Sequence, residues 1–231
     1  MKELQSVSII SLGPGGSSMI TQEGAAALRA ADVVFCPKTK DGSRAAVVLE
    51  SMNLKTGAVR CYSLPMNKNR AMAYEAYDKV HEEVVRLRSE GLSVAIVAEG
   101  DAGFYSSTAY LSEKLKQVDI PVQQIAGIPA FIAAAASIGL PVVEQEERLT
   151  VWPGKVNEAL LEQVEAGNEV AVVMKLSQCE AELKEFIRSD RKLVWHYFEN
   201  VGTSDRFYTC DKEELLNRKF PYFSLLIIKR R

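Results

Sequence analysis

The stretch Val7–Ser18 reads VSIISLGPGGSS, and it constrains the fold more than any other part of the sequence. Its apolar first half predicts a buried strand at Val7–Leu12, which leads directly into the glycine-rich turn Gly13–Gly16. Ligands of parallel α/β sheets bind beyond the carboxyl ends of the strands, where glycines let a ligand approach the backbone amides. Taken alone, a tight turn without a ligand explains this loop equally well.

Two further predicted strands end in turns that contain glycine. After Ser93–Ala98 the chain continues with Glu99–Asp101 (EGD), and after Val122–Ile125 it continues with Ala126–Ala130 (AGIPA). The carboxylates of the first turn are suited to bind a ligand or to offset a cationic cofactor, but a solvated turn that caps the next helix is an equal alternative. The AGIPA turn, the third glycine turn of the sequence, precedes an alanine-rich helix, whose small side chains allow close packing against a sheet or a flat ligand.

Short β-rich runs alternate with helical patterns along the whole sequence. This alternation predicts an α/β fold with mostly parallel sheets, because parallel strands are joined through helices. The predicted strands are Val7–Leu12, Asp32–Cys36, Ala58–Tyr62, Ser93–Ala98 and Val122–Ile125 in a first series, then Leu149–Trp152, Val170–Met174, Leu193–Phe198 and Phe223–Lys229. The predicted helices are Thr21–Ala31, Arg70–Glu90, Pro129–Ile138, Asn157–Ala166 and Cys179–Arg188.

A break in these patterns divides the chain in two. Gly139 and Pro141 end a predicted helix. The charged run Glu144–Arg148 that follows is typical of a solvent-exposed segment that connects two domains. We predict two α/β domains: an N-terminal one at residues 1–143, which contains the glycine turns, and a C-terminal one at residues 144–231.

The charge balance disfavours some classes of partner. The 231 residues include 28 Lys and Arg against 30 Asp and Glu, for a formal net charge of −2. A nucleic-acid partner bound through bulk positive charge is therefore not expected, whereas a local basic cluster for a small anion remains possible. The sequence shows neither an apolar run long enough to span a bilayer nor a signal-peptide pattern, so we expect a cytoplasmic protein without a membrane partner.

The cysteines give little sign of a chemical role. Cys36, Cys61, Cys179 and Cys210 form no CxxC pair, and the sequence has only two histidines. This spacing disfavours zinc and a dithiol redox site, and it favours incidental thiols in a reducing compartment. We therefore predict no bound metal.

One alternative is a nicotinamide-dependent oxidoreductase, because its dinucleotide site also begins with a glycine turn. The GxGxxG fingerprint requires a third glycine where this sequence has Ser18. It also requires an acidic residue near the end of the second strand, where this sequence has Lys38. Both differences disfavour a dehydrogenase.

Taken together, the three turns resemble those of the tetrapyrrole methylases. Gly13–Gly15 matches the family's GPG turn, and Glu99–Asp101 with Tyr105 matches its glycine–aspartate loop. Gly127–Ala130 matches the turn before the family's alanine-rich helix. The family's first loop usually reads GxGPGD, and here Ser11 replaces the leading glycine. The resemblance extends over essentially the whole chain.

The resemblance implies two α/β domains with an active site in the cleft between them, a homodimer, and methyl transfer from S-adenosylmethionine to a carbon of a tetrapyrrole substrate. By position in the family's motifs, the cofactor would contact Pro14, Glu99, Gly100, Asp101, Phe104, Pro129, Ala130 and Met174. Tetrapyrrole precursors carry acetate and propionate groups, so basic residues are expected to hold the substrate. The candidates are Lys38, Arg44, Lys68, Arg70 and Lys155, although charged loop residues are more often simply solvated.

Transfer of a sulfonium methyl group needs alignment of donor and acceptor more than it needs a covalent nucleophile. The sequence accordingly shows no Ser-His-Asp or Cys-His arrangement. If a general base takes part, Asp101 and Tyr105 are the candidates, with water as the alternative.

Overall fold

The structure, a computed structural model, describes residues 6–39, 42–53, 58–64, 71–189 and 191–231. The chain divides into two compact units, Met1–Pro129 and Ala130–Arg231. The helix that follows Pro129 groups with the second unit. The domain division after residue 143 stays a prediction.

The first unit is built on a five-stranded sheet. Its strands are β1 (Val7–Ser11), β2 (Val33–Lys38), β3 (Ala58–Ser63), β4 (Val94–Ala98) and β5 (Val122–Ile125). Its helices are α1 (Gln22–Ala30), α2 (Arg44–Ser51), α3 (Ala71–Ser89) and α4 (Thr108–Gln117). The strand order is β3-β2-β4-β1-β5, and every pairing is parallel, which confirms the predicted α/β sheet.

The central strands β1, β2 and β4 of this sheet are buried on both faces, to which alternate residues of each strand point. In β2, Val33 and Phe35 belong to one apolar cluster, while Val34 and Cys36 belong to another. Apolar cover on both faces is typical of a parallel sheet. Its carboxyl edge is then the place where turns are available for a ligand.

Helix α2 was not predicted, and α4 was expected only as the helix that the turn after β4 would cap, without bounds of its own. Helix α2 is short and begins after Ser43, whose Oγ accepts a hydrogen bond from the amide of Ala46 at 3.0 Å. In α4 the buried residues Thr108, Leu111 and Leu115 recur at helical spacing, so that signal was present in the sequence.

The second unit has a mixed sheet. Its strands are β6 (Arg148–Pro153), β7 (Glu169–Met174), β8 (Leu193–Glu199), β9 (Phe207–Thr209) and β10 (Ser224–Arg230). Its helices are α5 (Ala130–Ser137), α6 (Glu158–Glu165), α7 (Glu180–Arg188) and α8 (Lys212–Asn217). The strand order is β6-β7-β10-β8-β9. Within the described ranges of both units, no helix is long and apolar enough to cross a membrane.

The prediction of mostly parallel sheets is wrong for this unit. Strands β6 and β7 pair in parallel, whereas β10 is antiparallel to β7 and β8, and β9 is antiparallel to β8. A parallel connection needs a crossover of a dozen or more residues, and residues 200–206 between β8 and β9 are too few. Neither β9 nor α8 was predicted.

An ion pair with a buried carboxylate and a half-buried guanidinium lies at the end of β8. Glu199, which is 7% exposed, accepts hydrogen bonds from Nε and Nη2 of Arg218 at 2.8 and 3.0 Å, and another from the hydroxyl of Tyr197. Burial raises the pKa of the Glu199 carboxyl, but the donors from Arg218 and Tyr197 outweigh it and leave that pKa below its usual value.

Replacing Arg218 with methionine is therefore expected to destabilise the second unit by about 1–3 kcal/mol, because a buried carboxylate loses its charged partner and keeps only the donor from Tyr197. The pair contributes stability above the pKa of the unfolded carboxyl, about 4.3, and that stability is lost as the pH falls through the lower folded value. The stabilities of wild type and variant should consequently converge in acid.

Urea unfolding followed by tryptophan fluorescence measures this effect, since Trp152 and Trp195 both lie in the second unit. Arg206→Met, at an exposed position of the same unit, is the matched control and should change stability by less than about 0.5 kcal/mol. Equal losses in Arg218→Met and Arg206→Met would contradict the stabilising role of the pair.

Candidate functional site

The three glycine turns lie side by side at the carboxyl edge of the first sheet. They follow β1, β4 and β5, and β1 pairs with β4 on one side and with β5 on the other. The strand order therefore brings together turns that are far apart in the sequence.

The first two turns are joined through their backbones. The amide of Gly13 donates to the carbonyl oxygen of Gly100 at 3.0 Å, and the amide of Gly100 donates to that of Gly13 at 2.8 Å. Their φ angles are +75° and +74°, which favour glycine. A Cβ on Gly13 would lie 2.8 Å from the carbonyl oxygen of Met19, whereas one on Gly100 would meet no described atom within 4 Å. The open side of Gly100 leaves room for a ligand.

Asp101 ties the third turn to the first two. Its Oδ2 accepts a hydrogen bond from the amide of Gly127 at 2.6 Å, and its Oδ1 accepts one from the amide of Gly103 at 2.8 Å. Ser11, fully buried at the end of β1, donates its hydroxyl to Oδ2 at 3.5 Å and accepts from the amide of Ala102 at 2.8 Å. We use the name loop clamp for the set of five residues joined by these hydrogen bonds: Ser11, Asp101, Ala102, Gly103 and Gly127. Together they hold the turns after β4 and β5 against the end of β1.

The loop clamp leaves no space for a side chain at residue 127. A Cβ there would lie 2.4 Å from the Cβ of Ser11 and 3.1 Å from the carbonyl oxygen of Gly100. Only glycine fits while Ser11 keeps its place. The contribution of Ser11 was not predicted, since the sequence shows this residue only as a departure from the family's glycine.

The two candidate bases differ in their surroundings. The carboxylate of Asp101 already accepts two amide hydrogen bonds and one from a hydroxyl, which favours a positioning role. Tyr105 is 44% exposed, and its ring lies edge-on against Phe104 with centroids 5.2 Å apart. The φ angle of Tyr105 is +53°, and such uncommon conformations cluster at functional sites. A role as general base stays a prediction for both.

Glu99 and Arg44 lie together at the start of α2. The Glu99 carboxylate accepts a hydrogen bond from the amide of Ala45 and lies near the Arg44 guanidinium. Burial raises the pKa of this carboxyl, and Arg44 and the Ala45 amide offset that increase only in part. The structure thus brings a predicted cofactor contact and a predicted substrate contact to one place.

Three other predicted contacts of the first unit lie around the same edge. Pro14, directly after Gly13, and Pro129, at the end of the third turn, are both half-buried. Lys38 is exposed at the end of β2, the strand next to β4. Lys68 and Arg70 lie outside the described residues.

In the second unit, the predicted cofactor contact Met174 and the predicted substrate contact Lys155 lie on neighbouring segments. Met174 ends β7, and its carbonyl oxygen accepts a hydrogen bond at 2.7 Å from the amide of Gly154, the residue before Lys155. Lys155 is exposed, and its Nζ lies 5.5 Å from the centre of the Trp152 ring. Ala130 is half-buried at the start of α5.

The fold and the loop clamp define an α/β protein with three glycine turns joined by hydrogen bonds at the carboxyl edge of a parallel sheet. Within that class, the chain belongs to the Tetrapyrrole (Corrin/Porphyrin) Methylases, whose profile matches residues 6–216. These enzymes use S-adenosylmethionine, which is therefore the cofactor of this chain.

Relatives with different methylation sites resemble this chain. The precorrin-2 C(20)-methyltransferase of Sinorhizobium sp is 27% identical over 228 residues, which cover 95% of this chain and 93% of the relative. A probable cobalt-precorrin-2 C(20)-methyltransferase of Methanocaldococcus jannaschii is 24% identical, with 96% and 94% covered. A probable cobalt-factor III C(17)-methyltransferase of Salmonella typhimurium is 30% identical over 155 residues, with 64% and 58% covered.

Solved structures have the same fold. A cobalt precorrin-4 methyltransferase superposes with a TM-score of 0.73 at 16% identity, covering 97% of this chain and 94% of its own. A uroporphyrin-III C-methyltransferase from Thermus thermophilus, in complex with S-adenosyl homocysteine, superposes with a TM-score of 0.67 at 16% identity, covering 97% of each chain. These similarities confirm the fold that the sequence predicted.

Proposed function

We propose that this chain methylates precorrin-2, or its cobalt-containing form, at C-20 in cobalamin biosynthesis. The observation that supports this most is the similarity, over nearly the whole length, to two C(20)-methyltransferases. Short stretches of the sequence resemble the same subtype: Phe35–Thr39, Leu64–Met66, Glu147–Gly154 and Tyr222–Ile228.

The turns of the first unit suit the cofactor. Gly13 and Gly100 keep the backbone free of side chains, and the open side of Gly100 admits a ligand. When bound, S-adenosylmethionine supplies an electrophilic methyl group on a sulfonium sulfur. The loop clamp fixes the turns that would hold it, and alignment of this kind can supply about 7–11 kcal/mol of the barrier.

The residues proposed to bind are those that the sequence predicted. Backbone and aromatic groups would orient the cofactor, whereas basic side chains would hold the carboxylates of the tetrapyrrole. The cofactor contacts are Pro14, Glu99, Gly100, Asp101, Phe104 and Pro129 of the first unit and Ala130 and Met174 of the second. The substrate contacts are Lys38, Arg44, Lys68, Arg70 and Lys155. Homodimer assembly and a cytoplasmic location are also part of this proposal.

Incubation with labelled S-adenosylmethionine and either precorrin-2 or cobalt-factor II tests the proposal. We expect one labelled methyl group per tetrapyrrole, at C-20, in a trimethylated product identified by mass spectrometry and NMR. Uroporphyrinogen III is the matched control substrate and should remain unlabelled. Absence of a trimethylated product from both corrin precursors would refute the C-20 assignment.

The second candidate is methylation of a different tetrapyrrole carbon, and the similarity to a C(17)-methyltransferase favours it. Label transferred to a later corrin intermediate, or to uroporphyrinogen III, would support this alternative. The dehydrogenase considered from the sequence is set aside because the chain belongs to the methylase family.

A further inference from the structure

The structure brings two cysteines together that are 25 residues apart in the sequence. Cys36 of β2 and Cys61 of β3 are partners in the parallel register, and their Sγ atoms lie 3.1 Å apart. A disulfide bond is about 2.05 Å long, so closure needs an approach of about 1 Å. Neighbouring strands lie about 4.8 Å apart, which is within the Cα separation that a disulfide allows.

The two thiols have complementary exposure. Cys61 is exposed on β3, the edge strand of the sheet, whereas Cys36 is fully buried. An exogenous reagent therefore reaches Cys61 first, and Cys36 is the nearest internal thiol to it. The hydroxyl of Ser43 lies 3.8 Å from the Cys36 Sγ and donates to the carbonyl oxygen of Pro37, which fixes the surroundings of the buried sulfur.

We propose that Cys36 and Cys61 form a covalent modification site that reacts with low-molecular-weight disulfides. The Cys61 thiolate attacks one sulfur of the reagent, whose S–S bond breaks and releases one thiolate. Cys36 then loses its proton to solvent and attacks the Cys61 Sγ, which releases the second thiolate. Two protein thiols are oxidised to one intramolecular disulfide, and the reagent is reduced to two thiols.

The second step is the slower one at neutral pH. Burial raises the pKa of the Cys36 thiol to about 12, and the Cys61 thiol adds to that increase. The titratable groups that face Cys36 are Cys61, Tyr62 and Glu99, and none of them is a cation that would favour the thiolate. Because the thiolate fraction rises with pH, ring closure should be about tenfold faster at pH 8 than at pH 7.

The test is incubation of the reduced full-length chain with oxidised glutathione, followed by alkylation and mass spectrometry. We expect the peptides of Cys36 and Cys61 to be cross-linked, with a mass two hydrogens below the sum of the two reduced peptides, and to be separated again by dithiothreitol. Cys36→Ala should instead accumulate a stable glutathione adduct on Cys61, and Cys61→Ser should leave Cys36 as a thiol. Cys210→Ser is the matched control and should form the cross-link like the wild type.

Two outcomes would overturn the proposal. One is a wild-type chain that keeps the glutathione adduct on Cys61 without closing the disulfide. The other is a cross-link that involves Cys179 or Cys210 in place of this pair. Neither measurement uses the methyltransferase reaction, so the result is independent of the proposed function.

Discussion

Replacing Gly127 with alanine is expected to weaken S-adenosylhomocysteine binding by about 100-fold. The new Cβ would lie 2.4 Å from the Cβ of Ser11 and 3.1 Å from the carbonyl oxygen of Gly100. Ser11 is fully buried, and Gly100 is held by paired hydrogen bonds with Gly13, so the third turn has to move. Holding the displaced turn in its binding arrangement then costs about 1–3 kcal/mol, the usual range for overpacking, and the upper part of that range corresponds to about 100-fold in affinity.

A double variant provides the matched control. Ser11→Gly removes the Cβ that obstructs residue 127, so Ser11→Gly/Gly127→Ala should bind more tightly than Gly127→Ala alone. Ser11→Gly by itself measures the loss of the hydroxyl, which closes the double-mutant cycle. Calorimetry with S-adenosylhomocysteine gives the affinities, and thermal unfolding verifies that each variant is folded. An unchanged affinity in Gly127→Ala would show that the fixed third turn does not matter for the cofactor.

The position of the candidate site was predictable because strong local signals mark it. The strand Val122–Ile125 was predicted with the bounds that the structure has, since a glycine turn follows it and a proline precedes it. Parallel strands end at a common edge, so predicting the strands also predicted where the turns lie. The three-residue strand Phe207–Thr209 is too short to show a periodic pattern, and it was missed.

Side-chain contacts were not predictable, because they depend on long-range register. Ser11 reaches Asp101 across 90 positions of the sequence. The pairing of Cys36 with Cys61 requires the register of β2 and β3, and a shift of one residue would send one thiol to the opposite face. The contact of Glu99 with Arg44 was not predictable either, because it depends on how α2 packs against the sheet.

Replacing Asp101 with asparagine is expected to weaken S-adenosylhomocysteine binding by about 5- to 150-fold. The carboxylate accepts hydrogen bonds from the amides of Gly103 and Gly127 on its two oxygens. Asparagine retains one acceptor oxygen, so its NH₂ group faces one of these amides and leaves that donor unpaired. A donor left in this way costs about 1–3 kcal/mol, which corresponds to this loss of affinity.

The same variant separates a positioning role from general base catalysis. If Asp101 acts only as a base, Asp101→Asn should keep the affinity for S-adenosylhomocysteine and lose turnover, and the pH dependence of turnover should change with it. Tyr105→Phe is the matched comparison, because Tyr105 is exposed and none of the loop-clamp hydrogen bonds involves its hydroxyl. Its affinity should stay near that of the wild type whether or not turnover falls. Weaker binding in Asp101→Asn but not in Tyr105→Phe would therefore show that Asp101 acts in cofactor binding, by contact or by positioning of the turns, since a base that acts only on the substrate does not change the affinity for the cofactor product.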